Sequence, residues 1–170
     1  MYPYLRHLIS ILFLCFLLGN ASCGFYSFTG ASISPEVETV SIGKFPNVSG
    51  GGSAGLSQSF TEALKDKFVS ETDLTLVDRN GDIDFQGSIT NWNIESKSPT
   101  GNQTTARNQL TITVEVSYTN SIEDKKWNKS FSQYASYESK QSLSNVEDQL
   151  VEEINDQLVT DIFNEALVNW

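Results

Sequence analysis

The stretch Leu110-Thr-Ile-Thr-Val-Glu-Val-Ser-Tyr118 decides how this chain folds. Leu110, Ile112, Val114, Val116 and Tyr118 alternate with Thr111, Thr113, Glu115 and Ser117, so the segment is a β-strand with one apolar and one polar face. Faces that differ this cleanly belong to an antiparallel sheet covered on one side and wet on the other. The flanking sequence must therefore supply more strands and a cover.

Working back from Leu110, the polar loop Lys97–Ala106 precedes it. Before that loop, Leu74–Val77 and Ile83–Ile94 flank Asn80-Gly81, a dipeptide that predicts a hairpin because both turn positions favour positive φ. Leu56, Phe60, Leu64 and Phe68 recur every four residues and predict an amphipathic helix over Ser53–Val69. Val37–Phe45 carries Val40 and Ile42 at period two and reads as a strand. The glycine-rich run Pro46–Ser53 lacks the Lys-Ser/Thr of a phosphate-binding loop and reads as a flexible connector.

Working forward, Asn120–Lys126 is a charged turn, and Trp127, Phe131, Tyr134 and Tyr137 populate a fourth strand. Its alternation slips between Phe131 and Tyr134, which predicts a bulge there. Ser144 and Glu147 have capping-box spacing at the start of a second helix. Val146, Leu150, Val151, Ile154, Leu158, Ile162, Phe163 and Leu167 form its apolar stripe. The expected order is β-α-β-β-β-α, an α+β fold with two helices on one face of a four-stranded mixed sheet. The first two strands should be parallel, joined by a right-handed crossover.

The chain has 170 residues and reads as one domain over 35–170, with an N-terminal lead over 23–34. Residues 1–22 read as an export signal. The apolar run Leu8–Leu18 follows a weakly basic start, ends in the small residues before Cys23, and is too short to cross a bilayer. With Arg6 removed, 10 basic residues face 21 acidic ones, a net charge of −11. Such a chain is a poor ligand for nucleic acid, whose phosphates need Lys and Arg. Cys15 leaves with the signal, so Cys23 is the single mature thiol and no intramolecular disulfide is possible. Asn20-Ala-Ser-Cys23 resembles the bacterial lipoprotein box, and that resemblance implies acylation of Cys23 and a lipid anchor. Phe25, Tyr26 and Phe28 next to it would lie at a bilayer interface or pack on the domain.

The mature chain offers little to catalysis. His7 leaves with the signal, which removes the usual base near neutral pH and the commonest metal ligand. Asp78, Asn80 and Asp82 resemble the start of a calcium loop, but Gly81 stands at position 4 and Ile89 at position 12, so no metal is expected. The carboxylate pairs Asp82/Asp84 and Glu152/Glu153 read as turn and solvated helix residues rather than a hydrolase site. Lys125, Lys126 and Lys129 around Trp127 form a basic cluster suited to an anionic lipid head group or phosphorylated sugar.

Cys23-Gly-Phe-Tyr-Ser-Phe28, the strand Leu110–Tyr118, Trp127 through Phe131-Ser-Gln-Tyr134, and the closing Ile162–Trp170 together resemble the LptE family, lipopolysaccharide-assembly lipoproteins of Gram-negative outer membranes. The resemblance implies two helices on a four-stranded sheet, no enzymatic activity and no cofactor. It implies a chain that plugs a large outer-membrane β-barrel, LptD, and helps place lipopolysaccharide in the outer leaflet. Cys23 then maps to the lipid attachment site, and Lys125, Lys126 and Lys129 become candidate lipopolysaccharide contacts. The rival reading is a free-standing envelope lipoprotein that binds a soluble ligand or protein through its polar sheet face.

Overall fold

The computed structural model describes residues 33–98 and 106–167. The alternation at Leu110–Tyr118 becomes β4 (Arg107–Asn120), with its apolar members buried and Glu115 and Ser117 exposed. β3 (Ile83–Lys97) and β5 (Lys125–Glu138) pair with it antiparallel on either side. β1 (Thr39–Ile42) and β2 (Thr75–Val77) complete a mixed sheet in the order β2-β1-β3-β4-β5, with β1 parallel to both neighbours. Helices α1 (Leu56–Glu71) and α2 (Leu143–Leu167) pack on its apolar face. The α+β class, the two helices and the parallel pairing of the first two strands are as expected. The sheet has five strands instead of four, because the two arms of the expected hairpin, taken together as one element in that order, are separate strands.

Asn80-Gly81 does not make a hairpin. β2 and β3 flank β1 and do not pair with each other. Asn80 adopts the left-handed conformation, φ 55°, but the turn carries the chain across β1 instead of back along β2. Gly81 lies against that strand: a Cβ there would stand 2.6 Å from the Ser41 nitrogen and 2.8 Å from the Val40 carbonyl carbon. The competing force is the hydrogen-bonding capacity of β1, which has two edges to fill; a β2–β3 hairpin would leave one of them unpaired.

The core runs as a chain of aromatic rings from the helices through the sheet. Phe68 of α1 meets Phe163 of α2 at 5.2 Å and Phe85 of β3 at 4.8 Å. Phe85, Tyr118 and Trp127 occupy one rung across β3, β4 and β5. Phe85 meets Tyr118 at 5.2 Å, and Tyr118 stacks on Trp127 at 4.9 Å with the planes 12° apart. Burying each such side chain contributes about 1.5–3 kcal/mol, with a further 0.5–1.5 kcal/mol from each aromatic pair.

Three local expectations are corrected. β5 pairs with β4 without a register shift, and the bulge lies in β3 between Ile89 and Asn91. The alternation in β5 continues through Lys129 and Gln133 on the helix side, where Glu165 and Asp161 of α2 bond them, and Tyr134 turns to the other face. The capping box does not form, since α2 already begins at Leu143 and places Ser144 inside its first turn. The Ser144 hydroxyl instead shares a 2.8 Å hydrogen bond with that of Ser142. The glycine run is no free connector: Gly51 and Gly52 lie on the Trp92 ring, and Gly52 has φ 82°.

Candidate functional site

The polar face named from β4 alone extends over three strands. Cross-strand rungs place Gln86, Ser117 and Asn128 side by side, then Ser88, Glu115 and Ser130, then Asn91, Thr113 and Ser132, then Asn93, Thr111 and Tyr134. Opposed residues in an antiparallel sheet point to the same side, so these twelve side chains form one surface away from the helices. Thr113 and Ser132 share a 3.1 Å hydrogen bond across it. Hydroxyl and amide groups that can both give and accept dominate, a composition suited to a broad wet interface. The contributions of β3 and β5 were missed in the sequence. Ser130, Ser132, Tyr134 and Ser136 do alternate as Thr111–Ser117 do, and that period was the available signal.

The three cluster lysines are not brought onto one surface. Lys129 opposes Val116 on the helix side and pairs with Glu165. Lys125 pairs with Glu123 at 3.1 Å. Lys126 opposes Thr119 on the outer side, and among the described residues no carboxylate lies within 4 Å of it. A different basic group is assembled by the fold. Lys44, Lys65 and Arg79, far apart in sequence, line an open groove of about 1240 Å³ together with Asp78, Asp84 and Gln86. Cys23, the signal and the aromatic lead lie outside the described residues.

Of the paired carboxylates, Asp82 holds backbone. Asp82 accepts from the Thr39 hydroxyl at 2.8 Å and from the backbone N–H groups of Thr39 and Glu38 at 2.9 and 3.0 Å. Those bonds, the Thr39 hydroxyl first, hold its pKa below the ordinary aspartate value. Asp84 is bonded by the Ser41 hydroxyl, and Glu95 is pulled below the usual range by Lys97. Glu152 and Glu153 lie exposed on α2. Among the described residues no group of three His, Cys, Asp or Glu could hold a metal ion, and no helix is long and apolar enough to cross a membrane.

A family model described as "LptE: Lipopolysaccharide-assembly" matches residues 37–166. No curated protein matches the sequence. Among solved structures, a minor lipoprotein from Acinetobacter baumannii is similar at 13% identity, covering 77% of this chain and 93% of that one, with a TM-score of 0.50. A rare lipoprotein B from Shewanella oneidensis is similar at 14% identity over 76% of this chain and 93% of that one, with a TM-score of 0.51. At these identities the likeness concerns the fold.

Proposed function

The chain belongs to the LptE family of lipopolysaccharide-assembly proteins, and from that premise we propose that it acts without catalysis as an outer-membrane lipoprotein. In this reading Cys23 carries the lipid and the folded domain seats in the lumen of a large LptD-like β-barrel, which it helps to assemble and to load with lipopolysaccharide. The observation that carries the reading is the three-stranded polar face. Its hydroxyl and amide side chains match the polar interior of an outer-membrane barrel, where an apolar face would lose its cover.

Lipopolysaccharide contact is the finer part of the proposal. Of the three cluster lysines, Lys125 and Lys129 are engaged by Glu123 and Glu165, which leaves Lys126 the freest among the described residues. The groove of Lys44, Lys65 and Arg79 is a second place where phosphate could be met by more than one cation.

The test is a mild-detergent pull-down of the tagged lipoprotein from its own outer membranes. Near-equal recovery of one large β-barrel protein is the expected result. Recovery of the lipoprotein alone, with other barrel complexes intact, would overturn the plug reading and favour a free-standing binding module. Mass analysis of the N-terminal peptide reports the acylation separately: an unmodified Cys23, or cleavage elsewhere, removes the anchor from the proposal.

A further inference from the structure

β5 is an edge of the sheet. The Ser139 backbone N–H donates to the Ala106 carbonyl at 3.1 Å, one step beyond the Arg107–Glu138 rung, and this fixes the alternation along β5. Odd-numbered residues bond β4. The even-numbered Lys126, Asn128, Ser130, Ser132, Tyr134 and Ser136 turn their backbone N–H and C=O to the open edge. Among the described residues only the Ser136 carbonyl of these is engaged, by the Arg107 guanidinium at 3.2 Å, and it keeps a second lone pair.

Little in the strand blunts that edge. It has 14 residues, no proline and no register shift, and its lysines, Lys125, Lys126 and Lys129, all stand near its start. An edge of this kind is a template for another strand. The opposite edge of the sheet, β2, has only 3 residues.

The charges along β5 match the same strand reversed. A second β5 laid antiparallel must set even-numbered residues against even-numbered ones, because only those face the gap. Two registers then overlap almost the whole strand. One, centred on Phe131, opposes Glu138 to Asp124, acid to acid. The other, centred on Ser132, opposes Lys126 of each copy to Glu138 of the other, Asn128 to Ser136 and Ser130 to Tyr134. On the helix side it sets the half-buried Trp127 and Phe131 against Tyr137 and Gln133. No like charges meet. Lys126, which has no carboxylate within 4 Å among the described residues, gains one.

We propose that the domain pairs with a second copy of itself, edge to edge along β5, in the antiparallel register centred on Ser132. The contact is isologous, so each pairing occurs twice. It uses up both long edges and leaves a short β2 at each end of the doubled sheet, so assembly stops at two. The pairing does not rest on the barrel reading.

The test is sedimentation equilibrium of the full chain in density-matched detergent over a concentration series. A monomer–dimer equilibrium is expected. Ser132→Pro removes a donor at the open edge, where proline is tolerated, and should abolish the dimer. Lys126→Glu and Glu138→Lys should each weaken it roughly two- to thirtyfold, the range for two exposed charge pairs. Mixed in equal amounts, these two variants restore opposite charges at both ends, so the affinity should return. A monomer at every concentration, or a dimer that survives Ser132→Pro, overturns the proposal. Failure of the mixed variants to recover overturns the register. A chain monomeric throughout, from which Ser132→Pro releases a co-purifying barrel protein, assigns the edge to a strand of that protein instead.

Discussion

Thr39 and Asp82 hold each other reciprocally. The Thr39 hydroxyl and backbone N–H donate to the Asp82 carboxylate at 2.8 and 2.9 Å, while the Asp82 backbone N–H donates to Thr39 Oγ1 at 2.9 Å. The pair locks the start of β3 onto β1 just after the chain has crossed that strand. It adds a polar clasp to the parallel β1–β3 pairing.

This clasp should be visible as acid sensitivity. The folded pKa of Asp82 is depressed by the Thr39 hydroxyl and the two backbone N–H groups. Its stabilisation is therefore complete above the unfolded value of about 3.9 and is lost as pH falls through the lower folded value. Asp82→Asn should lower the urea midpoint near neutral pH, and the gap from the wild type should close at the acid end. A gap of constant size down to the lowest pH at which the wild type folds would count against the assignment.

Gly81→Ala should destabilise by about 1–3 kcal/mol, the usual cost of forcing an extra group into packed surroundings. The clash is with backbone, Ser41 N and Val40 C, which cannot rotate away. Gly55→Ala is the control, since the nearest atom to its Cβ would be Ser53 Oγ at 3.9 Å. Denaturant midpoints should drop clearly for the first and change by less than about 1 kcal/mol for the second.

Core and surface contacts should differ sharply in worth. Phe85 is fully buried between Phe68 and Tyr118, so Phe85→Ala should cost about 3–5 kcal/mol. Lys129 and Glu165 keep 47% and 36% of their side chains exposed, and a double-mutant cycle on that pair should give a coupling of about 0.2–1 kcal/mol. A larger coupling would mean the pair fixes the seating of α2 on β5.

Tyr118 should ionise late. Burial is the main cause of its raised pKa and the Glu123 charge adds to it, against a hydrogen bond with Asn120 that lowers it. With the folded value above the unfolded one of about 10, its contribution is complete below that pH and is lost as pH rises through the folded value. Spectroscopic titration of Tyr118→Phe against the wild type should remove a tyrosine that ionises above the ordinary range. If the high-pH step survives the substitution, Tyr118 is not its source.

Much of this architecture could be read in the residues themselves. The period-two alternation at Leu110–Tyr118, the four-residue spacing of Leu56, Phe60, Leu64 and Phe68, and the stripe along α2 each state which side of an element must be buried. That information is local, because a side chain's direction follows from the backbone geometry of its own element. The polar face of β4 was legible for the same reason, and with it a third of the candidate interface.

What only the tertiary structure decided was which elements meet. Asn80-Gly81 carries the chemistry of a hairpin, yet β1 stands between β2 and β3, because two open edges of one strand outweigh one tight turn. Lys129 and Gln133 break the apolar pattern of β5 until Glu165 and Asp161 of α2 are in place beside them. Lys44, Lys65 and Arg79 become one basic groove only once distant segments pack. A sequence states the preferences of each residue for water, apolar cover or a partner. The partner itself is a matter of three-dimensional proximity, which depends on every strand edge and helix face being satisfied together.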